Sequence, residues 1–326
     1  MSDGSVRWGV LSTATINRKV VPATQAAARC EVVAIGSRDR SRAEAAASEF
    51  GVARAYGSYE EVLSDPDVDA IYNPLPNDLH ERWTIQAARA GKHVLCEKPL
   101  AMRVAEAERM VAACRDEGVL LMEAFMYRHN PQTRRLVELV RDGAVGRLRL
   151  VRSAFSFAEA DPANVRLTTA LDGGALMDVG CYCVSGSRLI AGEPQQVAAE
   201  QLTGGDGVDI VFAATMRFAD DVLGQFDAGL ALDTRDALEV VGDEGTLFLD
   251  DPWHCLDPVI QLYRDGEREL IEVEVVNSYR LEAENMSAAI RGEAPLLLGR
   301  ADAVGQARAI EALYEAADTG GPVTLS

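Results

Sequence analysis

Short apolar runs alternate with stretches whose apolar positions recur every three to four residues through the first 124 residues. Val6 to Leu11 reads as a strand, then a tight turn at Ser12-Thr13-Ala14, then a helix from about Thr15 to Arg29. Further strands are predicted at Glu31 to Gly36, Ala70 to Asn73, His93 to Cys96 and Val119 to Met122. Helices are predicted at Ser41 to Phe50, Leu79 to Ala90 and Val104 to Glu117; Gly51 and Gly91 close the first two as C-cap glycines. Strands alternating with helices in this way define an α/β chain with a doubly wound parallel sheet. After a predicted helix at about Gln132 to Arg141, the period changes to two beyond Gly146. Strands are expected at Leu148 to Phe157, Val208 to Phe218, Leu223 to Ala228, Ala237 to Val241, Thr246 to Leu249, Val259 to Tyr263 and Ile271 to Val276. Glycine- and aspartate-rich turns join most of them, as in an antiparallel meander. The expected organisation is a doubly wound α/β domain over 1–124 and an α+β domain with an open, mainly antiparallel sheet over 125–326. Amphipathic helices near Arg280 to Arg291 and Ala301 to Ala317 are assigned to core packing alone.

Composition narrows the function. The 326 residues carry 32 Lys and Arg against 51 Asp and Glu, a formal net charge of −19, which argues against nucleic acid as a partner. No run has the roughly 18 uninterrupted apolar residues of a membrane span. The start of the chain is too short and polar for a signal peptide, so a cytoplasmic protein is expected. Six scattered cysteines without a C-x-x-C, and four histidines without a ligand pattern, point to neither disulfide nor metal.

Candidate chemistry sits at predicted strand ends, where a parallel sheet binds ligands. His93-Val94-Leu95-Cys96-Glu97-Lys98-Pro99 ends a strand with a carboxylate and an ammonium, and Lys98 is one of only three lysines, with Lys19 and Lys92. Ser12, Thr13, Ala14 and Ile16 occupy the slot of the dinucleotide fingerprint G-x-G-x-x-G, with all three glycines replaced. Small side chains there still let a pyrophosphate approach the helix N-terminal amides. At the end of the second strand, Ser37 and Arg38, with Arg42 one turn on, suit a 2′-phosphate, whereas Asp39 lies late for a ribose hydroxyl. The cofactor expected is therefore NADP in preference to NAD.

With Glu97-Lys98-Pro99 at the end of a late strand of such a fold, the chain resembles the glucose-fructose oxidoreductase/inositol dehydrogenase superfamily over essentially its whole length. Leu75-Pro76-Asn77 with His80 looks like the family's T-P-N-x-x-H, Leu75 replacing threonine. A third motif runs from Gly173 to Tyr182. Tyrosine at 182, where many members carry histidine, is typical of the branch holding dimeric dihydrodiol dehydrogenase, glucose-fructose oxidoreductase and NADP-dependent xylose dehydrogenases. The resemblance implies an N-terminal Rossmann domain, cofactor contacts from Leu75, Asn77, His80, Glu97 and Lys98, and a homodimer or homotetramer formed through the C-terminal sheet. It also implies that Arg128, in the segment joining the domains, contacts substrate or cofactor. Asn164 and Arg166 lie in a loop that precedes the Asp178 segment and is expected to border the substrate.

Asp178 and Tyr182 are spaced i,i+4, which on a helix puts both on one face. A tyrosine hydroxyl ordinarily titrates near ~10, and a neighbouring ammonium favours its phenolate, a charge that Lys98 can supply. The expected catalytic set is thus Lys98, Tyr182 and Asp178, with Asp178 orienting a partner or holding a substrate hydroxyl. With the substrates that the resemblance implies, Tyr182 is expected to exchange a proton with a hydroxyl of a cyclic sugar, polyol or dihydrodiol while the carbon exchanges hydride with the nicotinamide. Two other readings share these residues: a keto-sugar reductase acting on a nucleotide-linked or free sugar, and a nucleotide-binding regulator without catalysis.

Overall fold

Five mostly apolar strands and one short edge strand form a wholly parallel sheet in the computed structural model, which describes residues 4–325. They are β1 (Val6–Leu11), β2 (Cys30–Gly36), β3 (Arg54–Tyr56), β4 (Ala70–Asn73), β5 (His93–Glu97) and β6 (Leu121–Ala124), in the order β3-β2-β1-β4-β5-β6. The order reverses between β1 and β4, the switch point at which doubly wound sheets open a crevice. Helices α1 (Asn17–Ala26), α2 (Arg40–Phe50), α3 (Tyr59–Leu63), α4 (His80–Arg89) and α5 (Val104–Asp116) supply the crossovers. The strand expected at Val119 to Met122 starts two residues later because Val119 donates to the Cys114 carbonyl (2.9 Å) and, after Gly118 at φ 70°, still belongs to the end of α5. β3 and α3 were not anticipated; both are short, and β3 is a half-buried edge strand.

The second sheet has nine strands. After α6 (Pro131–Arg141) come β7 (Leu148–Ala158), α7 (Cys181–Ala191), β8 (Gln196–Thr203), β9 (Asp209–Arg217), β10 (Leu223–Gly229), β11 (Ala231–Gly242), β12 (Gly245–Leu249), β13 (Val259–Arg264) and β14 (Glu267–Glu272). With the terminal β15 (Val323–Thr324) their order is β14-β13-β12-β11-β7-β10-β9-β8-β15. Most pairs are antiparallel, but β10 runs parallel to β7, so the sheet is mixed and not a simple meander. The strand expected at Ile271 to Val276 lies instead at Glu267–Glu272. Asp265 and Gly266, both at positive φ, make the tight turn that sets the β13-β14 register. β14 is polar and mostly exposed, which hides it from a reading of apolar runs.

The helix α8 (Ser278–Ile290) returns to the first sheet. It lies against α1, and Trp8 on β1 donates its indole N–H to Ser287 (3.2 Å). The first compact unit therefore joins the stretch ending at Met126 to Asn277–Val304, and the second joins Tyr127–Val276 to the stretch from Gly305. A single cut near residue 125 does not describe this return of the chain. The last helix, α9 (Arg300–Thr319), begins in the first unit and ends in the second. Among the described residues all six cysteines are free, and no helix is long and apolar enough to cross a membrane.

Candidate active site

In the first unit the βα turn after β1 keeps a glycine-like backbone without glycine. Ser12 lies at φ 77°, its amide donates to the Gly36 carbonyl (2.8 Å), and its hydroxyl accepts from the Ala14 amide (3.3 Å). Asn17, buried at the start of α1, donates to the Ser12 carbonyl (3.0 Å) and pins the turn from behind. Arg42 reaches across from α2 to the Thr13 hydroxyl (3.2 Å), so the ends of β1 and β2 are tied together. Asp39 is the N-cap of α2: its carboxylate accepts from the Ser41 amide (2.8 Å), the Ser41 hydroxyl (2.7 Å) and the Arg42 amide (3.3 Å). These bonds hold its carboxyl below the usual range. A carboxylate committed to a helix end is not available to a ribose, while Ser37 and exposed Arg38 stand beside it at the edge of β2. That donor set fits a 2′-phosphate.

At the neighbouring strand ends His80 joins two of the sequence motifs. Its ring is 1% exposed, with Nε2 2.8 Å from the Leu75 carbonyl and Nδ1 3.0 Å from the Pro99 carbonyl. Burial lowers its pKa, opposed by those carbonyl contacts. His80 is thus a buried brace between the loop after β4 and the loop after β5, and the half-exposed Lys98 stands at the β5 edge directly before the braced Pro99, across a cis peptide bond. Glu97 accepts from the Tyr72 hydroxyl (2.6 Å). Beside them, α8 places Glu282 and Tyr279; burial first, and then Glu97, push the Glu282 carboxyl well up. Of the other two lysines, Lys19 is exposed, and Lys92 is spent on the carbonyls of Asp65 (2.8 Å) and Val68 (2.7 Å).

In the second unit the third motif forms a π-turn, Leu176–Gly180, that runs into α7. Asp178 lies in the π-turn and Tyr182 in the first turn of α7, so regular α-helical spacing does not relate them. The π-turn is anchored from β9: Asp209 accepts from the Leu176 amide (2.6 Å) and from the Tyr314 hydroxyl of α9 (2.9 Å). Gly174, at φ 128°, is required here, because a Cβ would collide with the Asp209 carboxylate. Asp178 accepts from Arg166 Nε (2.6 Å). Burial alone would weaken the charged guanidinium, but Asp178 outweighs it and raises the Arg166 pKa. Asn164 caps the short turn bearing Arg166 (3.1 Å to its amide) and donates to Glu159 (2.7 Å). Asn164, Arg166 and Asp178 are therefore one cluster.

Tyr182, 7% exposed, sits among aromatic rings: Phe155 at 5.3 Å, Tyr127 at 5.8 Å and Trp253 at 6.0 Å between centroids. Trp253 is buried and donates to the Ala154 carbonyl (3.1 Å). Tyr127 donates to Ser185 on α7 (2.8 Å), which Arg128 also approaches (3.4 Å). His129 is fully buried, and burial, with Arg134 and Arg128 nearby, lowers its pKa to about 3; it stays neutral inside the core. Sequence reasoning missed Phe155 on β7, Asp209 on β9, Trp253 in the turn after β12 and Glu282 on α8, which reach these sites from elements distant along the chain. No local pattern marks them, because their roles depend on tertiary contacts.

A doubly wound parallel sheet bearing a lysine at a late strand end, with a separate mixed-sheet unit bearing Asp178 and Tyr182, defines a dinucleotide-dependent oxidoreductase architecture. The comparisons agree: residues 6–125 match the oxidoreductase family with an NAD-binding Rossmann fold, and residues 133–248 match the GFO/IDH/MocA C-terminal domain. The chain belongs to the GFO/IDH/MocA oxidoreductase family. It is 40% identical to D-xylose 1-dehydrogenase (NADP(+)) 2 of Haloferax volcanii over 98% of this chain and 99% of that one. It is 32% identical to the mouse trans-1,2-dihydrobenzene-1,2-diol dehydrogenase over 81% and 79%. Its fold matches that of KijD10, a 3-ketoreductase from Actinomadura kijaniata in complex with NADP and TDP-benzene, with TM-score 0.90, 31% identity and coverage of 96% and 98%.

Proposed function

We propose that this protein is an NADP-dependent oxidoreductase that interconverts a hydroxyl and a carbonyl on a sugar, polyol or cyclic diol. The observation that carries the reading is the β2 edge, where Asp39 is committed to capping α2 and Ser37, Arg38 and Arg42 remain as phosphate donors. Ser12, Thr13, Ala14 and Ile16 would receive the pyrophosphate at the start of α1. Leu75, Asn77, His80 and Glu97 would shape the nicotinamide end, His80 by bracing the loops that carry Leu75 and Lys98.

A bound nicotinamide supplies the hydride acceptor in oxidation and the donor in reduction. Tyr182 takes the proton of the substrate hydroxyl as its carbon is oxidised and returns it when a carbonyl is reduced. Lys98 stabilises the negative charge that develops on that oxygen. Asp178, with Arg166 and Asn164, holds a second hydroxyl and orders the loop that borders the substrate, and Arg128 lines the same region. A keto-sugar reductase uses the same residues in the other direction, and the likeness to the KijD10 ketoreductase favours keeping that direction in view.

Substituting Tyr182→Phe is expected to lower kcat by roughly 10²- to 10⁴-fold, the usual weight of a general acid or base. NADPH affinity, followed by fluorescence titration, is expected to stay within a factor of two. Wild-type turnover in that variant removes Tyr182 from the mechanism. Six cysteines with no disulfide among the described residues suit a reducing compartment, so we assign the enzyme to the cytoplasm. We also assign a homodimer or homotetramer built on the open face of the nine-stranded sheet. That face holds a concavity of about 730 Å³ whose lining includes the small residues Ala198, Ala213 and Ala237 and the ring of Phe248.

A further inference from the structure

We propose that His254, oriented by Asp236, accepts a hydrogen bond from a substrate hydroxyl, and that the substrate is consequently a polyhydroxylated aldose or polyol and not an apolar ring diol. The inference rests on the oxidoreductase reading above and adds to it a residue and a substrate class. In the second sheet Asp236 on β11 stands directly opposite Phe155 on β7. The Phe155 ring is flanked edge-on by two others: Tyr182 at 5.3 Å and the His254 imidazole at 5.4 Å. The proton-transfer candidate and the histidine therefore border one phenyl ring, with buried Trp253 behind it.

The imidazole is held from one side only. Nδ1 lies 2.6 Å from Asp236 Oδ2, while the other carboxylate oxygen accepts the Trp253 amide at 3.3 Å. Asp251 Oδ1 is 3.9 Å from the same Nδ1, and its Oδ2 is taken by the amides of Leu256 and of Asp257 (2.9 Å). In a neutral imidazole, a carboxylate that accepts from Nδ1–H fixes the tautomer and leaves Nε2 as a lone-pair acceptor. Nε2 hydrogen-bonds to none of the described residues, and the side chain is 40% exposed. In a largely aromatic wall, an oriented acceptor of this kind discriminates by the hydroxyl it pairs with. A substrate lacking that hydroxyl leaves the acceptor unpaired. A dihydrodiol has no hydroxyl beyond the pair at the reacting carbons; an aldose or polyol does.

The test uses the full chain with saturating NADP⁺ and three substrates: D-xylose, D-glucose and trans-cyclohexane-1,2-diol. Wild type is expected to favour an aldose over the diol in kcat/KM. His254→Phe is expected to reduce that preference tenfold or more, through the aldose KM and not through kcat. His254→Gln, which retains an acceptor, is expected to recover at least half of the preference on a logarithmic scale. Asp236→Asn is expected to act in the same direction as His254→Phe, as a positioning change. Because the pair also anchors the 251–257 loop, a merely structural role would raise KM for aldose and diol alike, and that result overturns the proposal. A protein that binds NADPH but turns over none of the three substrates fails the oxidoreductase reading itself. The hydroxyl reading is then decided by ¹⁵N-histidine NMR: a shift of the His254 Nε2 resonance on adding D-xylose to the NADP-bound protein supports it, and an unmoved resonance overturns it.

Discussion

Ser12 shows how a site tolerates an unusual residue. A positive φ at a non-glycine costs on the order of 1 kcal/mol, and here the hydroxyl offsets part of that by accepting the Ala14 amide. The lost fingerprint glycine therefore does not mean a lost turn. Cofactor choice is argued at the same scale. Charge-assisted hydrogen bonds contribute about 1.5–3 kcal/mol, so Arg38→Ala is expected to weaken NADPH binding roughly ten- to hundredfold. NADH binding should change less than twofold. Fluorescence titration of both nucleotides reads the ratio; an equal loss for both would mean that Arg38 serves only Tyr59, whose hydroxyl it also approaches. Lys98 and Ser37 were legible in the chain because strand-end position is a sequence property. His254 was not, since its role depends on the Phe155 ring that a different strand delivers.

The π-turn and α7 depend on one buried carboxyl from another element. Asp209 is 3% exposed, and burial pushes its carboxyl up to about 6 from 3.8, despite bonds from Leu176 and Tyr314. Its folded pKa lies above its unfolded one, so the protonated form is favoured by folding. That contribution is full below about pH 3.8 and is lost as the pH rises through 6. A shift of this size corresponds to about 3 kcal/mol. Wild type is expected to lose about that much more stability than Asp209→Asn between pH 4 and pH 7, measured by urea unfolding. Parallel pH profiles would show that the carboxyl does not titrate as described. The helix bearing Tyr182 was legible as an element, from its glycine motif and apolar content. Its π geometry was not, because the anchoring Asp209 and Tyr314 lie 33 and 105 residues apart from their partners.

At the scale of the whole molecule the open face of the second sheet is the surface that asks for a partner. It mixes small apolar residues with ion pairs such as Arg152–Glu239 (3.3 Å) and Arg235–Asp227. Light scattering is expected to give at least twice the chain mass of 35.1 kDa. Thr215→Arg, on the same face, should shift the protein to monomer by steric conflict. A wild-type monomer would remove the proposed assembly. The amino-acid sequence by itself determined the alternation of strands and helices, the parallel sheet and the candidate Lys98, Asp178 and Tyr182. Those follow from local periodicity and from position at element ends. Tertiary structure decided the return of α8 to the first unit, the parallel pairing of β7 with β10, and the company kept by Tyr182. Each of these depends on contacts between residues far apart in the chain, and no local pattern encodes them.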